Sequence, residues 1–565
     1  MENMNLQKRD FPLALLISFL LLLPALVWVL LDTSIITGDA AYYARFTLYQ
    51  YRALRVSAGA WWHELMLTGQ FKAQGISWFG QFFVPLGIRL GSIDRGLMLS
   101  ILVTQGAALA LMFGVVRKLG GGPVLAAFGC LALASAPLFV DAGQHYMVEP
   151  LQTLAVMWFL WIMVSSSGWS RFLTLSQLLG ASTLAALAKL NSPAFSVFPA
   201  FAALFIVLRG EPSRRPFGWG DRRALITLVA VLPVSVAALF WYAHNFSTVW
   251  NFVRGASSGP VAAFWMWGKE DTFLNTFRYW VGALGRSLFV NNGLLALALI
   301  LAAASLFLLL KKKEPVKSAG LFTWTMVLQI LLILILFSFS PNRSIRYLLP
   351  VLPYFAVLLC ILLARLQHRL LMTLFIGVFA LQMGLLQAQA WGGNPGLRYP
   401  LVQPLSHSEA DRHLQEWVVD FTCKNPGRSV LVVVGVETSV KSTWLSPEPL
   451  NYLVAKTRSD GRGPLPCQYT YFNNSFFGGT AGESWSHLLS SKVEYVVITD
   501  PAIYPPSLKT ADAALFPENQ PVLMDLLDHG GRFQRVGSLP GDPGILIYER
   551  IHKTRQTSLP VFGGE

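Results

Sequence analysis

Two acidic residues in this chain lie where apolar segments meet more polar ones. Asp39 follows the first apolar segment, in the run TGDAAYY, and Glu149 opens a later one, in the run HYMVEP. Taken singly, each carboxylate has a structural explanation, because it can cap a helix or complement the dipole at a helix N-terminus. Together, at the same side and a similar depth, the two acids predict a polar site.

Basic residues occur at matching positions along the chain. The arginines among them also suit lipid-headgroup binding or snorkelling, whereas Lys189 is harder to explain because external loops are poor in lysine. Cations beside carboxylates favour a group transfer in which the cations hold a phosphate leaving group and a carboxylate activates an incoming hydroxyl. The basic residues are Lys72, Lys189, Arg343 and Arg346, and the residues predicted to line the site or contact the acceptor are Tyr42, Tyr43 and His145.

The segments that must position these residues are predicted to be transmembrane helices. Of the 565 residues, 54% are hydrophobic and 13% are charged, which is about half the charged fraction of a soluble protein. Apolar runs recur that are long enough to cross a hydrocarbon layer of ~30 Å. We therefore predict a polytopic α-helical membrane protein with about eleven transmembrane helices, at residues 11–31, 96–116, 123–141, 149–166, 172–189, 193–208, 223–243, 290–310, 319–339, 347–365 and 370–389.

The placement of lysine and arginine predicts the orientation in the membrane. Basic residues such as Lys8, Arg117 and Lys311 fall on one side if the spans alternate, and the positive-inside rule makes that side cytoplasmic. An odd number of spans then places the chain after residue 390 outside. The formal net charge of +14 is explained by these loops, and no basic face interleaved with aromatic residues indicates nucleic-acid binding. We expect a bacterial inner-membrane protein, because no eukaryotic retention signal is present.

Three parts are expected along the chain. Residues 1–390 form the transmembrane catalytic domain, whose long external loops, 32–95 and 244–290, are rich in aromatic residues and predict interfacial helices. The glycine- and proline-rich residues 391–404 form a linker. Residues 405–565 form an extracytoplasmic domain that is periplasmic or extracellular.

The extracytoplasmic domain is predicted to be α/β, because buried strands alternate with helices. It has no glycine-rich phosphate loop and no nucleophile elbow, so we expect it to recognise or cap rather than to catalyse. Cys423 and Cys467 both fall in this domain, where a disulfide can persist. No spacing of cysteine and histidine indicates a metal site. The predicted strands are 429–436, 493–499, 533–538 and 544–549, and the predicted helices are 408–422, 447–456 and 521–529.

The order of these motifs resembles the GT-C glycosyltransferases, in particular the group of protein O-mannosyltransferases and lipid A aminoarabinose transferases. Two departures concern the first external loop: Ala40 replaces the usual second acid, and Lys72-Ala73-Gln74 only approximates a Lys-Pro-Pro motif. The likeness covers nearly all of residues 10–390. Its motifs are Gly38–Ala44, Glu149–Leu151, Leu187–Pro193 and the RYLLPVLP run from Arg346 to Pro353.

The resemblance implies a sugar donor linked to a polyprenyl phosphate, and transfer of a hexosyl or pentosyl group with inversion on the external side of the membrane. The acceptor is a hydroxyl of a glycan, a lipid or a protein. By the same resemblance, Asp39 deprotonates or orients that hydroxyl, and Glu149 positions the acceptor or completes the site. Lys72, Lys189, Arg343 and Arg346 bind the lipid phosphate as it leaves. No residue pattern demands a metal, although some relatives use divalent cations, so a divalent cation stays open.

Two other functions are weighed against this one. A lipid-linked-sugar flippase or transporter typically carries charged or helix-breaking residues near the bilayer midplane, often in two related halves. Here the charges lie at the interface, and no repeat of halves is visible. A membrane-anchored binding protein does not require polar residues at the ends of several spans. Both alternatives explain the sequence less well than the transferase.

Overall fold

The structure is a computed structural model, and it forms two compact units, Met1–Ser408 and Glu409–Glu565. The predicted linker, residues 391–404, lies outside the described residues from position 393 onward. The residues that the structure describes are 2–67, 71–209, 222–258, 272–311, 320–340, 343–392, 409–424, 429–433, 447–459, 467–471, 481–499, 525–539 and 545–551.

The first unit is helical throughout its described residues, apart from short connections. Long apolar stretches form helices here because helix formation satisfies every backbone polar group without water. The helices are α1 (Glu2–Leu31), α2 (Gly38–Val56), α3 (Ala58–Leu67), α4 (Gly75–Gly80), α5 (Val84–Arg89), α6 (Ile93–Lys118), α7 (Pro123–Ala134), α8 (Pro137–Ala142), α9 (Glu149–Ser165), α10 (Arg171–Ala188), α11 (Val197–Arg209), α12 (Arg222–Ser258), α13 (Phe273–Leu288), α14 (Asn292–Lys311), α15 (Gly320–Ser338), α16 (Leu352–Leu366) and α17 (Arg369–Gly392).

Eight helices in the described part of the chain are long and apolar enough to cross a membrane, so the protein is a multi-pass membrane protein. They are α1, α6, α9, α12, α14, α15, α17 and the segment Ile345–Leu366, which joins a 3₁₀-helix (Ile345–Val351) to α16. All eleven predicted spans contain a helix. Three of them are not among the eight, because α7 and α11 are shorter and α10 is more polar.

Side-chain hydrogen bonds tie α9, α10 and α12 together. Trp158 Nε1 donates to Gln177 Oε1 over 2.7 Å, and Gln177 Nε2 donates to Thr227 Oγ1 over 3.1 Å. Thr183 Oγ1 and Ser235 Oγ share a further bond of 2.7 Å. Such bonds hold helices together where apolar packing alone gives no preference over lipid. They fix the end of α10, where Lys189 lies.

The chain between α1 and α6 forms the helices α2 to α5, and the two glycines at the ends of α4 let this helix approach its neighbours closely. A Cβ at Gly75 would lie 2.5 Å from the Leu187 carbonyl oxygen, so the start of α4 packs directly on the end of α10. A side chain at Gly80 would collide with the Tyr146 hydroxyl. That hydroxyl shares a 2.8 Å bond with Thr47 and donates to the Ile76 carbonyl over 2.9 Å.

Helix α12 is longer than the predicted span 223–243, because it continues to Ser258 without a break. The prediction ended where polar residues begin, at His244, but no glycine or proline lies between residues 234 and 254 to stop the helix. Asn245 is satisfied within this continuation: its Nδ2 donates to the Met66 carbonyl over 3.0 Å and to the Trp241 carbonyl over 2.9 Å. The external loop predicted from residue 244 therefore begins as helix.

The second unit is an α/β domain with a five-stranded sheet in the order β2-β1-β3-β5-β4. β1 pairs in parallel with β2 and β3, whereas β5 pairs antiparallel with β3 and β4. β2 and α20 lie outside the predicted elements, and the predicted helix 521–529 is described only from residue 525. The elements are α18 (Glu409–Thr422), β1 (Ser429–Val433), α19 (Pro447–Ser459), β2 (Gln468–Tyr471), α20 (Ala481–Ser490), β3 (Tyr495–Thr499), β4 (Phe533–Leu539) and β5 (Ile545–Arg550).

A disulfide and a set of hydrogen bonds join α18, α19 and β2 in this unit. Cys423 and Cys467 are bonded, with their Cα atoms 5.3 Å apart. The Tyr469 hydroxyl shares a 2.7 Å bond with Thr422 Oγ1. Asn451 accepts from the Tyr469 backbone N–H over 3.0 Å and donates to its carbonyl over 2.9 Å. These polar side chains are therefore hydrogen-bonded to one another and hold α18, α19 and β2 together.

Candidate functional site

Asp39 lies in the first turn of α2, one residue after the bend that ends the connection from α1. Thr37 is extended and Gly38 has φ +54°, a conformation that glycine adopts without strain. Both carboxylate oxygens of Asp39 meet cations: Oδ1 accepts from Lys72 Nζ over 2.7 Å, and Oδ2 accepts from Arg346 Nη2 over 2.6 Å. Asp39 is therefore a twice-paired carboxylate.

Glu149 is the first residue of α9 and is only 2% exposed. Its Oε1 accepts from Lys189 Nζ over 3.1 Å and forms an ion pair with Arg346 Nε over 3.4 Å. Its Oε2 is buried and has no hydrogen-bond partner among the described residues. A buried carboxylate is tolerated only when cations compensate for lost hydration, and the free Oε2 leaves capacity for one more donor.

Arg346 joins the two acids, because one guanidinium contacts Asp39 through Nη2 and Glu149 through Nε. It lies in the 3₁₀-helix Ile345–Val351, whose tight turn directs this side chain inward while the following Tyr347 ring packs beneath Lys189. Lys189 Nζ is 3.8 Å from the Tyr347 ring centroid, a close cation–π contact. Arg346 Nη1 also approaches Met147 Sδ at 3.9 Å.

The structure thus brings together five predicted site residues that are up to 307 positions apart in sequence. They lie at the same ends of their helices: after α1, before α9, after α10 and before α16. Asp10 and Arg117 pair at the opposite ends of α1 and α6, with 3.0 Å between carboxylate and guanidinium. The five residues are Asp39, Lys72, Glu149, Lys189 and Arg346, that is, three cations against two carboxylates.

The cations determine the ionisation of Asp39. Burial by itself raises the pKa of the Asp39 carboxyl, but the Lys72 ammonium and the Arg346 guanidinium outweigh burial and hold this pKa well below its usual range. The pKa of the neighbouring Tyr43 hydroxyl is raised well above its ordinary value, chiefly by burial and further by the negative charge of Asp39. Asp39 is thus an anion and Tyr43 a neutral phenol at any physiological pH.

Three further predicted residues line the cluster. The Tyr42 ring lies 4.9 Å from Lys72 Nζ and packs edge-on against Tyr43, with 5.4 Å between ring centroids. His145 Nε2 lies 3.2 Å from Asp141 Oδ1. Burial opposes the charged imidazole, but the Asp141 carboxylate prevails and raises the pKa of His145 above its ordinary value.

The fold is similar to that of ArnT over nearly the full length of both chains. ArnT from Cupriavidus metallidurans bound to undecaprenyl phosphate has a TM-score of 0.53 with this chain at 14% sequence identity, covering 95% of this chain and 98% of ArnT. Its apo structure also gives 0.53 and 14%, with 98% and 99% covered. The chain has the GT-C fold of ArnT.

The expected GT-C resemblance is thereby confirmed at the level of the fold. The arabinofuranosyltransferase AftD from mycobacteria has a TM-score of 0.41 and 14% identity, covering 92% of this chain and 40% of AftD. No protein-family model matches the chain, and no curated protein sequence matches it.

Within this GT-C fold, Arg343 has different surroundings from Arg346. Its Nη2 donates to Thr276 Oγ1 over 3.2 Å, and its guanidinium lies 5.3 Å from the Tyr279 ring centroid. The Tyr279 hydroxyl donates back to the Arg343 carbonyl over 2.8 Å. Arg343 therefore contacts α13, and its role as a phosphate ligand stays a prediction.

Three residues that contact the cluster were not predicted from the sequence. Tyr347 supplies the ring under Lys189, and Asp141 pairs with His145. Gln152 Nε2 donates to Asn191 Oδ1 over 3.0 Å, which ties the start of α9 to the turn after Lys189. The contact between Asp141 and His145 could not be predicted from helical spacing, because α8 ends at Ala142 and His145 lies in the turn after it. The contacts of Tyr347 and Gln152 can likewise be found only from the fold.

The described residues offer no fitting site for a divalent cation. No group of three histidine, cysteine, aspartate or glutamate side chains converges among them. Both oxygens of Asp39 and one of Glu149 face lysine or arginine, which leaves only Glu149 Oε2 for a metal. Hard cations such as Mg²⁺ and Ca²⁺ take six or more oxygen ligands, commonly including several carboxylates. We therefore derive no catalytic step through a metal.

Proposed function

We propose that the protein is an integral membrane glycosyltransferase of the cell envelope. It moves a hexose or pentose from a polyprenyl phosphate to a hydroxyl of a glycan, lipid or protein acceptor on the external side of the membrane, with inversion. The observation that carries this proposal is Arg346, which bridges two carboxylates at the span ends beside two lysines. The ArnT structure with undecaprenyl phosphate bound supports a lipid phosphate as the ligand of such a fold.

The cations suit the leaving group. A polyprenyl phosphate gains negative charge on its bridging oxygen as the bond to the sugar breaks, and preorganised cations in a water-poor site stabilise that charge. Lys72, Lys189 and Arg346 are preorganised here because each already contacts a carboxylate. One of the three positive charges is not balanced by Asp39 and Glu149, which favours an anionic ligand.

The carboxylates suit the acceptor. Asp39 is ionised and partly exposed, so it can accept a hydrogen bond from an acceptor hydroxyl and aim its oxygen at the sugar carbon. Glu149 is buried behind Arg346, and its unpartnered Oε2 can receive one hydroxyl of a bound sugar. In the transfer, the acceptor oxygen attacks the anomeric carbon from the face opposite the phosphate. The pair of electrons in the carbon–oxygen bond departs with the phosphate.

The test is release of free polyprenyl phosphate by the purified protein in lipid nanodiscs. Undecaprenyl phosphates that carry labelled hexoses or pentoses serve as donors, and an envelope extract of the source cells supplies acceptors. We expect wild type to release the lipid phosphate and to form a labelled product, and Asp39→Asn to slow both by about 10²-fold or more.

Asp10→Asn is the matched control. Asp10 also pairs with an arginine, Arg117, but it lies near the start of α1, whereas the cluster lies beyond the other end of that helix. It should retain the wild-type rate to within about twofold. Equal rates for Asp39→Asn and wild type would remove Asp39 from the mechanism. Movement of labelled lipid across liposome membranes with no sugar transfer would instead establish a flippase.

A further inference from the structure

His145 and Asp141 form an oriented pair in the wall of the site. Asp141 lies in the last turn of α8 and is buried, whereas about a third of the His145 side chain is exposed. The 3.2 Å contact joins Nε2 of His145 to Oδ1 of Asp141. In the neutral ring, the proton therefore belongs on Nε2, and Nδ1 is left as a hydrogen-bond acceptor. Within the described part of the chain, no hydrogen bond to Nδ1 is formed.

The pair lies beside the charged groups of the cluster, because Arg346 Nη1 contacts Met147 Sδ at 3.9 Å, two residues after His145. The charges that act on the His145 ring are those of Asp141, Arg346 and Glu149. The hydroxyl of the adjacent Tyr146 is hydrogen-bonded to Thr47 and to the Ile76 carbonyl, away from this pair. His145 is thus the one histidine that the described structure places in the site.

Asp39 is poorly suited to accept a proton. Each of its oxygens already takes a short hydrogen bond from a cation, and these contacts stabilise the anion. A general base works best when its affinity for protons matches the surrounding pH, and a carboxylate held by two cations lies far from that match. An imidazole whose far nitrogen is held by a carboxylate has the geometry of an activated base.

We propose that His145, oriented by Asp141, accepts the proton of the acceptor hydroxyl during transfer, while Asp39 orients that hydroxyl. This inference rests on the proposed function. The acceptor oxygen forms its bond to the anomeric carbon as its proton passes to Nδ1 of neutral His145. The carbon–oxygen bond to the phosphate breaks, and the phosphate leaves as an anion held by the lysines and Arg346. The resulting imidazolium is stabilised by Asp141 and later returns its proton to water.

The proposal predicts a specific pH dependence. A base must be deprotonated to act, so the rate of the wild type should rise with pH through a limb with a midpoint above 6.5, the ordinary histidine value, because Asp141 raises the pKa of His145. His145→Gln should lose this limb and be slower by about 10²–10⁴-fold at the plateau. Asp141→Asn should move the midpoint to lower pH and slow the plateau by about 10-fold.

The experiment measures lipid-phosphate release from pH 5 to 9 with the donor panel and envelope extract described above. The KM for the donor should stay within about twofold in both variants, which separates proton transfer from donor binding. A His145→Gln variant that keeps the wild-type limb overturns the inference and leaves the proposed function standing. An Asp141→Asn variant with an unshifted midpoint also overturns it. A wild type that releases no lipid phosphate from any donor overturns the proposed function and this inference with it.

Discussion

Arg346 in the membrane unit and Arg550 in the C-terminal unit are both surrounded by oxygen acceptors, but the acceptors differ in kind. Arg550 donates to neutral backbone carbonyls at the end of α20 and just after it, with distances of 2.6 Å to Leu488, 3.0 Å to Ser491 and 2.7 Å to Val493. Arg346 contacts the carboxylates of Asp39 and Glu149, which come from separate helices. Arg550 therefore satisfies backbone carbonyls around a helix end, whereas Arg346 pairs with two carboxylates.

The difference shows how a ligand site can be told from a structural brace. At Arg550 the hydrogen bonds go to backbone carbonyls in the last turn of α20 and in the residues just after it, where a helix end leaves carbonyls open. At Arg346 a buried oxygen of Glu149 has no hydrogen-bond partner among the described residues, and three cations surround the carboxylates of Asp39 and Glu149. Buried polar groups are rarely left unsatisfied without a functional reason.

Of the variants that test the contrast between the two arginines, Arg346→Lys should give the largest effect on turnover. A lysine ammonium is a single point of charge and cannot contact both carboxylates as the planar guanidinium does. We expect the rate of lipid-phosphate release to fall by about 10²–10³-fold, with the midpoint of thermal unfolding changed little.

Arg550→Lys is the matched variant in the other unit. It should lower the unfolding midpoint of the C-terminal unit, because three or more carbonyls lose their donor, and leave lipid-phosphate release within about twofold of wild type. The contrast fails if Arg346→Lys retains full turnover, or if the two variants exchange these phenotypes.

Replacing both Cys423 and Cys467 by serine tests the brace in the C-terminal unit. The disulfide closes a loop of 44 positions, and removing such a crosslink typically lowers the free energy of unfolding by about 2–4 kcal/mol. We expect earlier proteolysis of the C-terminal unit on heating, measured by gel, with fragments of the membrane unit unaffected. Equal protease resistance in wild type and the double variant would show that the disulfide contributes no stability.

Gly75→Ala tests how closely the site depends on the contact between α4 and α10. The added Cβ meets the Leu187 carbonyl at 2.5 Å, so the two helices must separate. Overpacking of this kind costs about 1–3 kcal/mol. Because Lys72 precedes α4 and Lys189 follows α10, this separation changes the position of one lysine relative to the other. We therefore expect turnover to fall by about 10-fold. Gly59→Ala is the control, because its nearest contact is Ser57 Oγ at 3.9 Å.

The smallest expected effect is the pH dependence of stability at His145. Its folded pKa is raised above the unfolded value of 6.5, so the pair with Asp141 stabilises the fold fully below pH 6.5 and loses this contribution as pH rises through the folded value. Wild type should unfold about 1–2 °C above His145→Gln at pH 6, and the two should converge at pH 9. A difference that grows with pH would contradict the assigned pairing.

Much of the fold could be predicted because apolar runs directly indicate membrane helices. The limit appears at α12, where polar residues after Tyr242 ended the predicted span although the helix continues to Ser258. Hydropathy reports where the hydrocarbon ends, but a helix stops only at a breaker or a cap. β2 (Gln468–Tyr471) was not predicted, because its tyrosines and threonine favour a strand but its four residues contain no apolar run of the kind that marks a buried one.

The site was predicted as a set of residue types, and its connections were not. Arg343 and Arg346 looked equivalent in sequence, because they are three positions apart and both precede the same span. The 3₁₀-helix that begins at Ile345 separates them: Arg346 contacts the acids, and Arg343 contacts Tyr279. Which cation meets which acid depends on contacts between helices far apart in sequence, and a single sequence does not contain that information.

The length of α12 relates the site to the thickness of the bilayer. At 1.5 Å per residue its 37 residues extend about 55 Å, well beyond a hydrocarbon layer of ~30 Å. Near its far end, the Phe252 ring packs 4.9 Å from that of Phe71, the neighbour of Lys72. One residue inserted before Phe252 would move this contact by about 1.5 Å along the helix and turn it by about 100°. The height of Lys72 relative to the hydrocarbon layer is therefore coupled to the number of residues in α12 that precede Phe252.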